Sequence, residues 1–105
     1  MALIYGVDTE STVTPIMVRD AIDRCFYEAH CAVVELPESN ELERHLYCTT
    51  VLRRGFELTG GDFDSPTRDS LIQAMNYLAE YSKSFRDPLV VTQHYQEIMQ
   101  LIEKI

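Results

Sequence analysis

Apolar positions recur every three or four residues along most of the chain, which is the spacing of an amphipathic helix. The pattern is most regular in the C-terminal part, where two helix starts are marked by proline. Ser65 precedes Pro66 at the first start, and Pro88 opens the second. These signals predict helices over residues 66–86 and 88–104. Their inward stripes are Leu71, Ala74, Met75, Leu78, Tyr81, Ser82 and Phe85, and Val91, His94, Ile98, Leu101, Ile102 and Ile105.

A long helical pattern also begins at Pro15 and covers residues 15–35, where Pro37 stops it. Its apolar stripe consists of Val18, Ala21, Ile22, Cys25, Phe26, Ala29, Ala32, Val33 and Leu36. Further apolar side chains lie outside that stripe, at Ile16, Tyr27, Cys31 and Val34. A helix that is apolar over so much of its circumference is either central to the fold or meets a partner with its second face.

The next helix is predicted over residues 41–58, because Asn40 and Glu43 resemble a capping box and Gly60 follows the last apolar position. Counting at 100° per residue places an inward face at Leu42, His45, Leu46, Thr49, Leu52 and Phe56. A run of β-branched residues over 49–51 weakens the helix locally and leaves a strand as the alternative.

The first residues of the chain are different, since residues 2–7 are apolar and β-capable without helical spacing. We interpret them as a short extended arm that lies against the helices or pairs with another chain. Four helices joined by short connections predict an all-α, four-helix bundle-like fold with this N-terminal arm. Residues 1–105 are expected to form a single helical domain.

Composition narrows the classes of partner. Seventeen acidic and nine basic side chains give a formal charge of −8, which opposes binding to nucleic acid. No apolar run approaches the roughly 20 residues of a membrane span. The three cysteines form no Cys-x-x-Cys pair, and no secretory leader pattern is present, so a cytoplasmic protein with reduced thiols is expected.

Three histidines, each on a different predicted helix, are the main candidates for chemistry. His30, His45 and His94, with Glu97 one turn after His94, would bind zinc or another divalent transition metal if they converged inside the bundle. Glu41 lies one turn before His45 and would orient its imidazole. Nothing in the sequence fixes their heights, so three separate histidines with ordinary hydrogen-bond partners are the simpler interpretation.

No coherent catalytic set emerges from the remaining residues. Cys25 lies in a core stripe, and the arginines at 44, 53 and 54 are explained by ion pairing as readily as by anion binding. We therefore expect a small helical protein without enzymatic activity or cofactor that acts through protein contacts, in the first place as a homodimer or higher oligomer. The alternative is a bundle that binds a metal or a small ligand through His30, His45, His94 and Glu97. The acidic connection over residues 35–43 leaves open a third function, the binding of a basic peptide.

Overall fold

Four helices form the body of the protein. The computed structural model describes residues 3–33, 41–83 and 88–105, and the side chains of residues 5–28, 41–83 and 95–105. Its elements are β1 (Leu3–Ile4), β2 (Val7–Asp8), α1 (Pro15–Val33), α2 (Glu41–Leu58), α3 (Arg68–Ser82) and α4 (Pro88–Ile102). The helices pack against one another, which confirms the predicted all-α, four-helix bundle-like fold.

The N-terminal arm is a small hairpin. β1 pairs antiparallel with β2, and Leu3 lies opposite Asp8. Tyr5 and Gly6 form the two-residue turn with φ angles of 49° and 82°. Two consecutive residues with positive φ are the geometry of the tight hairpin turn whose twist matches the strands.

This hairpin lies against the helices, which decides between the two positions that the sequence left open. β2 packs on α1 and β1 packs on α4. Val7 is buried, and Nη1 of Arg24 donates a hydrogen bond of 3.1 Å to the carbonyl oxygen of Tyr5. A side chain at Gly6 would collide with that guanidinium, because its Cβ would lie 2.3 Å from Nη1 of Arg24.

α1 contacts α2, α3 and α4, and α3 likewise contacts all three other helices. The predicted stripe is confirmed wherever its side chains are described, at Val18, Ala21, Ile22, Cys25 and Phe26, all buried. Outside the stripe, Tyr27 is half-buried and packs against the core, whereas Ile16 is 49% exposed. Cys31 and Val34 lie outside the described side chains.

The predicted inward face of α2 is wrong over its N-terminal half. Leu42 is 71% and Leu46 is 60% exposed. The residues that α2 buries are Cys48, Val51, Leu52, Gly55 and Phe56. The buried face is thus turned by roughly one residue position, about 100°, from the leucine stripe.

The reason for this rotation is the close approach of α2 and α3 at Gly55. A Cβ on Gly55 would lie 2.7 Å from the ring of Tyr77, so only glycine lets the two helices meet there. Cys48, a small thiol, is fully buried on the same face. Both residues contribute little to a hydrophobic pattern. The inward face predicted from the pattern was therefore set by the leucines.

The β-branched run in α2 is helical, not a strand. The hydroxyl of Thr50 donates to the carbonyl oxygen of Leu46 at 2.7 Å, within the helix itself. The helix ends in a Schellman motif at Gly60, whose φ is 82°. The amide of Gly61 donates to Phe56 O at 2.8 Å, and the amide of Gly60 donates to Glu57 O at 3.3 Å.

α3 begins two residues later than predicted. Thr67, not Ser65, is its N-cap, and Arg68 is the first helical residue. The hydroxyl of Thr67 accepts from the amide of Ser70 at 3.1 Å, and the hydroxyl of Ser70 accepts from the amide of Thr67 at 2.7 Å. This reciprocal pair is a capping box with serine at its third position.

The inward stripes of the last two helices are confirmed where their side chains are described. Leu71, Ala74, Met75, Leu78 and Ser82 are buried in α3, and Ile98, Leu101 and Ile102 are buried in α4. The predicted end of the first helix at 35, the Asn40 cap and the predicted end of the third helix at 86 lie outside the described residues.

Candidate functional site

The four residues of the predicted metal site lie on three helices. His30 belongs to α1 and His94 to α4, but both side chains lie outside those that the structure describes. His45 on α2 and Glu97 on α4 are exposed. The complete ligand set therefore stays a prediction.

His45 lies between α2 and α1 at the surface. Its ring stacks on Tyr27 with 3.7 Å between the centroids and 7° between the planes. Its Nε2 is 4.0 Å from a carboxylate oxygen of Glu41, one turn earlier in α2. The flat stack across the two helices orients the imidazole, and it also buries one face of an otherwise half-exposed ring.

One turn further along the same interface, Thr49 on α2 contacts Asp23 on α1. The threonine hydroxyl lies 3.1 Å and 3.2 Å from the two carboxylate oxygens of Asp23. Burial raises the pKa of the Asp23 carboxyl above its usual value near 3.8. The hydrogen bond from Thr49 opposes this rise, as does the neighbouring His45. Asp23 is thus a partly desolvated carboxylate held in place by one hydroxyl.

The thiol of Cys25 is buried in the core. Burial raises the pKa of Cys25 to about 12, with a further contribution from the Glu28 and Glu97 carboxylates. A thiol with such a pKa is not a nucleophile near neutral pH. Cys25 is therefore a packing residue.

The described contacts of His45 are with Tyr27 on α1 and Glu41 on α2. Glu97 is exposed on α4. Among the described side chains, no group of three or more histidines, cysteines or carboxylates is arranged to hold a metal ion.

The candidate surface that the structure reveals is the outer side of the N-terminal half of α2. It consists of Glu41, Leu42, Glu43, His45 and Leu46, all exposed, and we call it the α2 surface. Leu42 and Leu46 lie one helical turn apart and form a continuous apolar ridge with a carboxylate on each side of Leu42. The hydrophobic pattern of the sequence includes both leucines but predicts that they lie in the core.

Tyr47 lies outside this surface. It is partly exposed, and its hydroxyl contacts the hydroxyl of Tyr81 on α3. Tyr81 in turn packs at a tilt on Phe26, with 6.0 Å between the ring centroids. The aromatic side chains at this end of the bundle therefore join α2 to α3 and α1.

Arg53, one of the three arginines considered as an anion site, contacts Phe63 together with Arg19. Arg53 lies over the ring of Phe63, 4.2 Å from its centroid, and Arg19 lies 4.5 Å from the same centroid. Nη1 of Arg19 also donates to the carbonyl oxygen of Phe63 at 2.8 Å. The two guanidinium groups hold the connection between α2 and α3.

An open cleft of about 330 Å³ lies where α2 turns into α3. Asp62 and Asp69 contribute carboxylates to its lining. However, Asp62 accepts the amide of Asp64 at 3.0 Å, and the capping box of α3 occupies the nearby hydroxyl groups. The polar groups of this cleft serve the turn itself.

Comparison of the chain with protein-family models, with curated proteins and with solved structures finds no match. Among the described helices, none is long and apolar enough to cross a membrane. The function is accordingly inferred from the surface and the interior of this molecule alone.

Proposed function

We propose that the protein is a non-enzymatic interaction domain that binds another protein surface through the α2 surface. The observation that carries this proposal is the exposure of Leu42 and Leu46, at 71% and 60%, on consecutive turns of one helix. Single exposed apolar residues are ordinary on monomers, whereas a contiguous ridge rimmed by polar residues is typical of a contact site.

The energy available from this ridge is substantial. Fully burying a leucine side chain is worth roughly 1.5 to 3 kcal/mol, so covering the exposed parts of Leu42 and Leu46 yields roughly 2 to 4 kcal/mol. This gain is available to a complex and is lost while the two side chains face water.

α2 is also well suited to present the ridge. Leu52 and Phe56, further along the same helix, are fully buried, and the Schellman motif fixes its C-terminal end. A surface held in this way loses little conformational freedom on binding, which lowers the entropic cost of association.

The polar groups beside the ridge support contact rather than chemistry. The ring of His45 is stacked on Tyr27, and Asp23 is bonded to the hydroxyl of Thr49. The charge of −8 disfavours nucleic acid as the partner, and reduced thiols such as Cys25 suit the cytoplasm.

Site-specific photo-crosslinking tests the proposal. A photoreactive phenylalanine analogue replaces Leu46 in one protein and Leu58 in another, and both are irradiated in an extract of the source cells. Leu58 is the matched control, because it lies on the same helix and is 61% exposed. We expect position 46 to give a discrete adduct heavier than the 12.1 kDa chain and position 58 to give none. Identical results at the two positions, with or without adducts, would contradict the proposal.

The same experiment reports on self-association, the form of contact expected first from the sequence. An adduct of about twice the chain mass from position 46 identifies a second copy as the partner. An adduct of any other mass identifies a different protein.

A further inference from the structure

We propose that the occupant of the α2 surface is a basic amphipathic helix, a segment with apolar side chains at helical spacing and lysine or arginine beside them. This inference rests on the proposed function and specifies its partner. It follows from the charge around the ridge, the shape of the ridge and the charge of the whole chain.

Negative charge lies next to the two leucines of the ridge. Glu41 and Glu43 are both exposed and lie on either side of Leu42 in the first turn of α2. Asp23, a half-buried carboxylate bonded to Thr49, lies beyond the α2 surface. A partner that covers the leucines therefore brings its flanking side chains close to the two exposed carboxylates.

Two arginines of this region are engaged by other groups. Arg53 lies on α2 more than a turn beyond Leu46 and is stacked on Phe63. Arg19 is paired with Asp20 at 3.0 Å. Within the α2 surface, Nε2 of His45 is 4.0 Å from a carboxylate oxygen of Glu41. Lysine or arginine on the partner complements this arrangement, and glutamate or aspartate is repelled.

The shape of the leucine ridge suits another helix. Leu42 and Leu46 are four residues apart, which is about 6 Å along the helix axis. A ridge of residues at this spacing fits into the groove between the ridges of another helix. Because a helix has no unpaired backbone edge, the surface offers nothing for an added β-strand, and the spacing of the ridge favours helix against helix.

The charge of the α2 surface favours a basic partner over a second copy of this chain. In a two-fold symmetric contact the same patch lies on both sides, so Glu41 and Glu43 of each copy would share one interface. Each copy also carries a formal charge of −8. Like charges across an interface oppose association, whereas a basic segment is attracted to the same patch.

The test uses three synthetic peptides of about 14 residues, long enough for about four helical turns. The first has leucines on one helical face and lysines beside them. The second keeps the leucines and replaces every lysine by glutamate. The third has the composition of the first in an order that removes the common face. Fluorescence anisotropy of the labelled peptides measures binding to the full chain.

We expect the lysine peptide to bind and the other two to bind at least about tenfold more weakly, a difference of about 1.4 kcal/mol. Raising the salt concentration from about 0.05 M to about 0.5 M should weaken the lysine peptide further, because exposed charges are screened. Equal binding of the lysine and glutamate peptides, or of the ordered and reordered peptides, would overturn the inference.

Variants of the protein locate the site. Leu42→Ser with Leu46→Ser should reduce binding at least about tenfold, whereas Leu58→Ser, at the far end of α2, should leave it unchanged. Glu41→Gln with Glu43→Gln should weaken binding about three- to tenfold. Glu57→Lys changes the net charge by the same two units away from the α2 surface, and it should have little effect. Loss of binding in both glutamate variants would reduce the effect to overall charge and overturn the inference.

Thermal unfolding of every variant accompanies the binding measurements, so that loss of the fold is not mistaken for loss of the site. Sedimentation of the chain without peptide adds the remaining distinction. A dimer that Leu42→Ser with Leu46→Ser dissociates would make a second copy the occupant and overturn the basic-helix inference, while the proposed contact function would stand. An adduct of another mass at position 46 without binding of the lysine peptide would also overturn the basic-helix inference and leave the proposed contact function standing, with a different protein as the occupant. Failure of both experiments would overturn both.

Discussion

At the scale of single residues, Asp23 has a carboxylate whose charged form is disfavoured by burial. It is half-buried at the interface of α1 and α2, and burial is the largest influence on its carboxyl, outweighing the hydroxyl of Thr49. A carboxyl whose pKa is raised in the folded state stabilises the fold below its unfolded pKa, near 3.8. That contribution is lost as the pH rises through the folded pKa.

Asp23→Asn should therefore raise the free energy of unfolding at pH 7 and leave it nearly unchanged at pH 3. Asparagine keeps an acceptor for the Thr49 hydroxyl and removes the desolvated charge. Denaturant unfolding at the two pH values measures this, with Asp20→Asn as the control at an exposed carboxylate on the same helix. A variant that is less stable than the wild type at pH 7 would show that the charge interactions of Asp23 outweigh its burial.

Gly55 decides the spacing of two helices at a single position. In an exposed helix, Gly→Ala stabilises by about 1 kcal/mol. Here the new methyl group would collide with the ring of Tyr77. We expect Gly55→Ala to destabilise by about 1 to 3 kcal/mol through overpacking. The cost should be smaller in a Tyr77→Ala background, and equal costs in the two backgrounds would exclude the contact as its origin.

At the scale of elements, α2 separates what the pattern of the chain predicts from what packing decides. For α1 the pattern predicts the buried side chains correctly, because the large apolar residues themselves form the contact with three other helices. For α2 the contact depends on Gly55 and Cys48, which are small. Hydrophobic periodicity measures large side chains, so it placed the leucine ridge inside and missed the α2 surface.

Stability measurements distinguish the two faces of α2. Leu42→Ser with Leu46→Ser should change the free energy of unfolding by no more than about 0.5 kcal/mol per site, since both side chains are exposed. Leu52→Ala on the fully buried face should cost about 2 to 5 kcal/mol. If the serine variant lost as much stability as Leu52→Ala, the leucine face would be the packed one.

The start of α3 illustrates a second limit of the sequence. Ser65 and Thr67 flank Pro66, and either is a reasonable cap by residue type. The choice depends on which hydroxyl meets a free amide, and Ser70 settles it by bonding reciprocally with Thr67. Proline next to a polar residue is thus a reliable sign of a helix start to within about two residues.

Thr67→Ala should therefore cost about 0.5 to 2 kcal/mol, the usual loss for a removed N-cap. Ser65→Ala serves as the control and should cost less than about 0.5 kcal/mol, because Ser65 is exposed and lies before the cap. Chemical unfolding of the two variants measures the difference. A larger loss of stability in Ser65→Ala than in Thr67→Ala would identify Ser65 as the N-cap.

At the scale of the whole molecule, the fold class was predictable, because four periodic segments with short connections have few ways to bury their stripes. The metal site stays a prediction. Convergence of His30, His45 and His94 depends on the heights and rotations of three helices, which a pattern does not contain. The side chains of His30 and His94 lie outside those that the structure describes.

Metal binding by the four predicted ligands has a direct test. We expect protein prepared without a histidine tag to show no rise in melting temperature with excess zinc. The reason is that the ring of His45 is stacked on Tyr27, and no group of three or more described histidines, cysteines or carboxylates is arranged to hold a metal ion. A zinc-dependent rise that His45→Ala abolishes would restore the metal site.

The contact of β1 with α4 joins the first element of the chain to its last helix. β2 packs on α1, the next element along the chain, so this strand can dock as soon as α1 has been synthesised. β1 has no such neighbour until α4 has been made. During synthesis on the ribosome, the N-terminal strand must therefore remain undocked until the final helix emerges, and closing this long loop belongs to the last steps of folding.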